Sequence, residues 1–178
     1  MPRAERPSTP SDDLAARRPW RTPDGALAPE LAAFCQCGTS VCLASSDSRR
    51  EPIAALGLAC RMDGARLRIL LKRRGNERLL QAVAAAAPIA VTFSQPETHR
   101  SIQFKASTAS LDPLLPADEP ELARQTAAMR DELINVGYSA AFATVYCMFE
   151  RQDVVAVVIT PDLAFVQTPG PAAGNALP

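Results

Sequence analysis

The residues Thr98-His99-Arg100-Ser101-Ile102-Gln103-Phe104-Lys105 alternate polar with apolar, in the middle of segments that themselves read as strands. A period of two belongs to a half-buried strand, because successive strand side chains point to opposite faces. Ile102, Phe104 and Ala106 therefore line a core, while Ser101, Gln103, Lys105 and Ser107 share the other face. That second face is rich in hydrogen-bond donors and suits an anionic ligand. A chain built around this stretch is committed to a sheet.

The flanking pattern extends it. Residues 28–35 read as a short helix with Leu31 and Phe34 on one side, and 41–45 and 53–62 as strands parted by the turn chemistry of Asp47-Ser48-Arg49-Arg50-Glu51-Pro52. Met62-Asp63-Gly64 marks a tight hairpin into a strand over 66–72. Asn76 is placed to cap a helix that runs to Ala87 and stops at Pro88. Residues 89–94 form a strand and 100–111 a long one. Asp118 and Glu121 have capping-box spacing at the head of a helix ending near Gly137, with Leu122, Met129, Leu133 and Val136 on its apolar face. Residues 138–149 read as a second short helix, and 154–160 and 163–167 as strands. Hairpins imply antiparallel pairing, and strands at this spacing imply a barrel. No G-x-G-x-x-G opens a helix after a strand and no Walker loop occurs, which argues against a doubly wound nucleotide fold.

Composition bounds the function. At 178 residues with 47% hydrophobic side chains, the chain is long enough for one domain with a real core. Residues 1–26, rich in Pro, Arg, Ser and Asp, read as a disordered or loosely docked arm, with Trp20 as its anchor on the body. The domain proper is expected over 27–172, followed by a Pro/Gly-punctuated tail at 173–178. Lys and Arg number 19, as do Asp and Glu, so there is no basic excess to suggest a nucleic-acid partner, and little charge to oppose self-association. No apolar run approaches the roughly 20 residues of a membrane span. Five cysteines, an odd count without a signal peptide, fit reduced thiols and a cytoplasmic protein.

Candidate chemistry concentrates in two places. Arg66, Arg68 and Lys72 alternate with Leu67, Ile69 and Leu71, and Arg73, Arg74 and Arg78 follow at the turn and helix start. This is either a solvated edge strand or a phosphate site, where guanidinium groups and a helix N-terminus meet. His99 is the only histidine and has no partner at metal or triad spacing. Cys35, Cys37 and Cys42 lack a second Cys pair and read as small buried residues. Tyr138 and Tyr146 read as helix packing.

The order of elements, with Arg100-Ser101-Ile102-Gln103-Phe104-Lys105-Ala106 on the long strand, resembles the pyridoxamine 5'-phosphate oxidase superfamily. Phe93-Ser94-Gln95-Pro96-Glu97-Thr98-His99-Arg100 and the tail Val166-Gln167-Thr168-Pro169-Gly170-Pro171 are similar to a group of small oxidase-related bacterial proteins. The resemblance covers roughly residues 27–172. It implies a mainly β (α+β) fold, a six-stranded antiparallel split β-barrel with flanking helices, and a homodimer holding FMN at two interface sites. It also implies phosphate contacts from the positions of Leu71, Lys72, Arg73, Asn76 and Arg78. The family's Arg-Gln pair, whose Gln touches the isoalloxazine, maps to Arg100 and Ser101, with Gln103 on the same face as a replacement. Two family features are missing. The Arg and Lys of the oxidase's second strand fall at about Ala55 and Cys60, and its C-terminal Trp and Arg have no counterpart.

The expectation is therefore an FMN-dependent oxidoreductase of a small-molecule substrate, not a true pyridoxamine phosphate oxidase, with a nicotinamide as one possible electron donor. The alternatives are a deazaflavin user, a non-catalytic flavin or haem carrier, and a dimeric barrel that has lost its cofactor.

Overall fold

The computed structural model describes residues 19–178. Helix α1 (Pro29–Cys35) leads into strands β1 (Ser40–Ser46), β2 (Pro52–Asp63) and β3 (Arg66–Lys72). Helix α2 (Glu77–Ala84), β4 (Ile89–Ser94), β5 (Ser101–Ala106) and β6 (Ala109–Pro113) follow. Helices α3 (Glu119–Asn135) and α4 (Ala140–Cys147) then precede β7 (Val154–Ile159) and β8 (Leu163–Val166).

All strands pair antiparallel in one sheet of order β6-β7-β3-β2-β1-β4-β5-β8. Strands β5 and β6 lie near opposite ends of that order, yet only Ser107 and Thr108 separate them in sequence. So short a link spans about 10 Å at most, and the sheet must curl until its ends approach. The outermost strands do not pair with each other, so the barrel stays split.

Two sequence expectations are corrected here. The sheet has eight strands, not six, and the long strand expected over 100–111 breaks at Ser107. The break has a local cause: the Ser107 N–H donates to Asp162 Oδ2 at 2.6 Å, and the Asp162 N–H donates to the Lys105 carbonyl at 2.7 Å. The chain thereby leaves β4 and β8 and pairs its second half with β7.

The barrel interior is filled by alternate residues of every strand, including Leu43, Leu67, Ile69, Val91, Phe93, Phe104 and Val157, with Leu79, Leu80 and Val83 of α2 packed into it. Strand β7 is buried on both faces, because its outward residues Val154, Ala156 and Val158 meet Leu70 and Leu122 beneath α3. Arg68 shares this outer layer. Only 2% exposed, it reaches Asp118 at 2.9 Å and Asp112 at 2.6 Å, and Arg61 joins Asp118 at 2.7 Å. Asp118 therefore does not act in the expected capping box with Glu121. Its carboxylate serves two arginines and the Leu115 N–H instead.

Helix α3 is tied to β2 by a side-chain amide. Gln125, fully buried, accepts from the Cys60 N–H at 2.9 Å and donates to the Cys60 carbonyl at 2.6 Å. Strand β1 begins at Ser40, so β2 beyond its bulge at Gly57/Ala59 has no strand on that side, and Gln125 completes its hydrogen bonding. Val136, expected on the apolar face of α3, is largely exposed at the helix end.

Trp20 is buried against Phe104 at 6.0 Å between ring centroids, and its backbone N–H donates to the Pro178 carbonyl. The tail, expected only to end regular structure, returns to the sheet at Ala176 and buries Leu177. The rest of the arm, residues 1–18, lies outside the described residues. Among the described residues no helix is long and apolar enough to cross a membrane.

Candidate ligand cleft

Strand register builds the site. Ser40 of β1 is paired with Ser94 of β4, and Ser94 with Ser101 of β5, so three serines stand side by side across adjacent strands at one rim of the sheet. Two positions along, Cys42, Thr92 and Gln103 form a parallel row, and the Gln103 amide donates to Thr92 Oγ1 at 3.1 Å. Both rows lie on the face opposite the barrel interior, as period two requires. The Ser101 hydroxyl lies 2.8 Å from Ser94 Oγ and 3.1 Å from the His99 carbonyl, which fixes its rotamer.

Helix α4 roofs this rim with an aromatic wall. Tyr138 stacks on Phe142 (4.9 Å, 20°), and Phe142 on Tyr146 (6.0 Å, 30°). Ser139 caps the helix by accepting from the Phe142 N–H, and this cap sets Tyr138 just before the first turn. Tyr138 thus stands half exposed at the mouth instead of packing within a helix. Burial pushes the Tyr146 phenol up, opposed by a hydrogen bond with Ser40.

Between wall and serines lies an open cleft of about 400 Å³, also lined by Gln95, His99, Met129, Leu133 and Gln167. A second cleft of about 210 Å³ shares Ser40, Met129 and Tyr146 with the first and runs on past Leu56 and Gly57 to Lys72. Adjoining at those shared residues, the two clefts make one trough whose lining runs from β3 to β5.

Of the cofactor-binding residues expected from the sequence, Ser101 and Lys72 line this trough and Gln103 lies on the same sheet face; His99, Tyr138 and Tyr146, which the sequence marked without such a role, line it too. Lys72 Nζ donates to the Met148 carbonyl at 3.1 Å. The others are not brought to the trough. Leu71 is buried in the barrel core. Arg73 projects from the turn after β3, and Asn76 donates its amide to the Lys72 carbonyl. Arg78 is paired with Asp47 and Glu51 of the β1–β2 turn. Arg100 lies over the Phe34 ring, 4.4 Å from its centroid.

Sequence reasoning missed Ser40, Ser94, Gln167 and the aromatic wall. The available signal was weak: a serine at the first or last position of three strands, and aromatic residues every fourth position in 138–146.

An open antiparallel barrel with helices laid over one rim is the split-barrel fold of the pyridoxamine 5'-phosphate oxidase superfamily. Among solved structures, HupZ of Group A Streptococcus superposes with a TM-score of 0.51 at 13% identity, covering 83% of this chain and 99% of that one. A pyridoxamine 5'-phosphate oxidase candidate from Lactobacillus delbrueckii superposes with a TM-score of 0.50 at 15% identity, covering 82% and 98%. At these identities the likeness is one of fold. No protein-family model matches the chain, and no curated protein matches it in sequence.

Proposed function

We propose that this chain is a homodimeric split barrel whose trough takes the flat ring of a flavin-type cofactor, in the service of an oxidoreductase acting on a small-molecule substrate. The observation that carries the reading is the row Ser40, Ser94 and Ser101 facing the stacked wall of Tyr138, Phe142 and Tyr146. A flat ring with polar edges fits such a slot: one face against aromatic side chains, its edge toward hydroxyls that both donate and accept.

When bound, a flavin supplies hydride chemistry from its own ring. The residues of the chain do the rest. The serines orient the ring, the aromatic wall excludes water from one face, and Lys72 stands at the far end of the trough for the polar tail. By the resemblance, the Arg and Lys of the oxidase's second strand fall at about Ala55 and Cys60, which are small and buried here, and this supports a substrate other than pyridoxamine phosphate.

A second copy is the natural cover for the exposed apolar side of α4. Tyr138, Phe142, Val145 and Met148 are about half exposed or more, and Leu56 beside them is 51% exposed. An apolar patch of this kind marks an interaction surface.

Absorption and mass spectrometry of the purified protein, before and after incubation with flavin, test the reading. A band near about 450 nm and a flavin mass support it. A Soret band would replace flavin with haem, and a colourless protein that takes up no flavin would remove the cofactor from the account.

A further inference from the structure

The β4–β5 loop, residues 95–100, brings His99 to the cleft and is held at both ends. The Gln95 N–H donates to the Arg100 carbonyl and the His99 N–H to the Gln95 carbonyl, both at 2.9 Å. The Ser101 hydroxyl lies 3.1 Å from the His99 carbonyl, which ties the loop to β5 and the serine row. On the other side the Gln95 amide donates to Glu132 Oε1 of α3 at 3.3 Å, and the Thr98 hydroxyl to Gln95 Oε1 at 3.1 Å. His99 itself holds φ +59°, a left-handed backbone that histidine tolerates better than most residues. One imidazole is thus presented to the cleft from a fixed backbone.

Among the described residues lining this cleft of about 400 Å³ there is no Asp, Glu, Lys or Arg. Histidine is the side chain that gains charge near neutral pH, so His99 is the lining group able to become a cation there. An uncharged ring meets no electrostatic obstacle in such a site. The same ring reduced by a hydride carries a negative charge, and a charge without a counter-ion in a partly enclosed site is disfavoured. Resting on the flavin reading, we propose that His99 is the proton partner of the reduced ring. A hydride from a nicotinamide-class donor leaves the donor oxidised and the ring an anion. His99 takes one proton from solvent and faces that anion as imidazolium. The charged and titratable groups around it are Glu97 and Arg100 on its own loop, Glu132 of α3 behind Gln95, and the phenols of Tyr138 and Tyr146 beside and within α4. The segment after β8 brings only the uncharged Gln167 and Pro169 to the lining. Replacing His99 leaves all of these in place.

Midpoint potentials of riboflavin bound to the full-length protein, measured by dye-equilibrated reduction, test this in the wild type, His99→Asn and His99→Arg. Asparagine accepts the left-handed backbone without a charge. Arginine, which takes that backbone at Arg50 (φ +64°), supplies a permanent one. At about pH 6 the wild type should lie above His99→Asn by about 14 mV or more, a threefold preference for the reduced ring, and the two should meet by about pH 9. His99→Arg should keep that margin over His99→Asn at both pH values. A smaller wild-type gap at the lower pH, a gap that persists at the higher one, or an arginine variant level with asparagine would overturn the proposal and leave the flavin reading standing. Oxidised riboflavin should bind His99→Asn within about threefold of the wild type; weaker binding would make His99 a holder of the ring and overturn the proposal too. Failure of riboflavin to bind the wild type would overturn the flavin reading, and this one with it.

Discussion

Arg68 and Asp118 show how one residue's role is set by its surroundings. Arg68 belongs to a basic alternation that reads equally well as a ligand site. In the fold it is sealed beneath the β6–α3 connection, with Asp112, Asp118 and the Pro113 carbonyl as its partners. Removing one member of a buried charge network strands the other, which costs about 3 kcal/mol. Arg68→Ala should therefore lower the unfolding free energy obtained from urea denaturation by that amount. Burial alone would push the Asp118 carboxyl up, but hydrogen bonds from Arg68, Arg61 and the Leu115 N–H bring it below its ordinary value. A carboxyl lowered on folding contributes stability that is whole above its unfolded pKa of about 3.9 and fades as pH falls toward the folded value. Acid unfolding should accordingly be less steep below about pH 4 in Asp118→Asn than in the wild type. Asp47, Glu77, Glu121 and Asp162 are lowered too, so the difference between the two proteins is the readout. The cysteines separate by burial in the same way. Cys35 and Cys60 are sealed in the core and their thiols pushed well up by desolvation, whereas Cys37 is exposed. A thiol reagent at pH 8 should modify Cys37 in the native protein and reach Cys35 and Cys60 only on unfolding, which peptide mapping would show.

At the scale of elements, Gly38 is where α1, β1 and α3 are brought together. It adopts φ +92°, and a Cβ there would stand 2.5 Å from the Ala128 Cβ of α3. Gly38→Ala should cost about 2 kcal/mol and loosen α3, whereas Gly64→Ala, with open space around it, should cost only its backbone strain; thermal melts of the pair separate the two effects. Most of the elements were legible in the sequence. The period-two runs place β3 and β4 with the bounds the fold has, because alternation is written locally. The break at Ser107 was not legible, since its cause is Asp162, distant in sequence. Nor was the serine row. Ser40, Ser94 and Ser101 become neighbours only through the register of three strands, and no local pattern encodes register between segments so far apart. The partners of Arg78 were hidden for the same reason: Asp47 and Glu51 belong to another turn.

At the scale of the whole molecule, zero formal net charge and an exposed apolar side of α4 argue together for a dimer whose interface borders the trough. Light scattering should give twice 19.0 kDa, and Phe142→Asp should shift the protein toward monomer and weaken ring binding. The account as a whole stands on a flat ring held between the serines and the wall. Titration of riboflavin into the wild type and Tyr138→Ala, followed by ligand fluorescence, tests this most directly, because Tyr138 is half exposed and its loss leaves the core intact. The account predicts saturable quenching at one ring per chain and about tenfold weaker binding in the variant. Absence of saturation in the wild type, or identical curves for the two proteins, would contradict it.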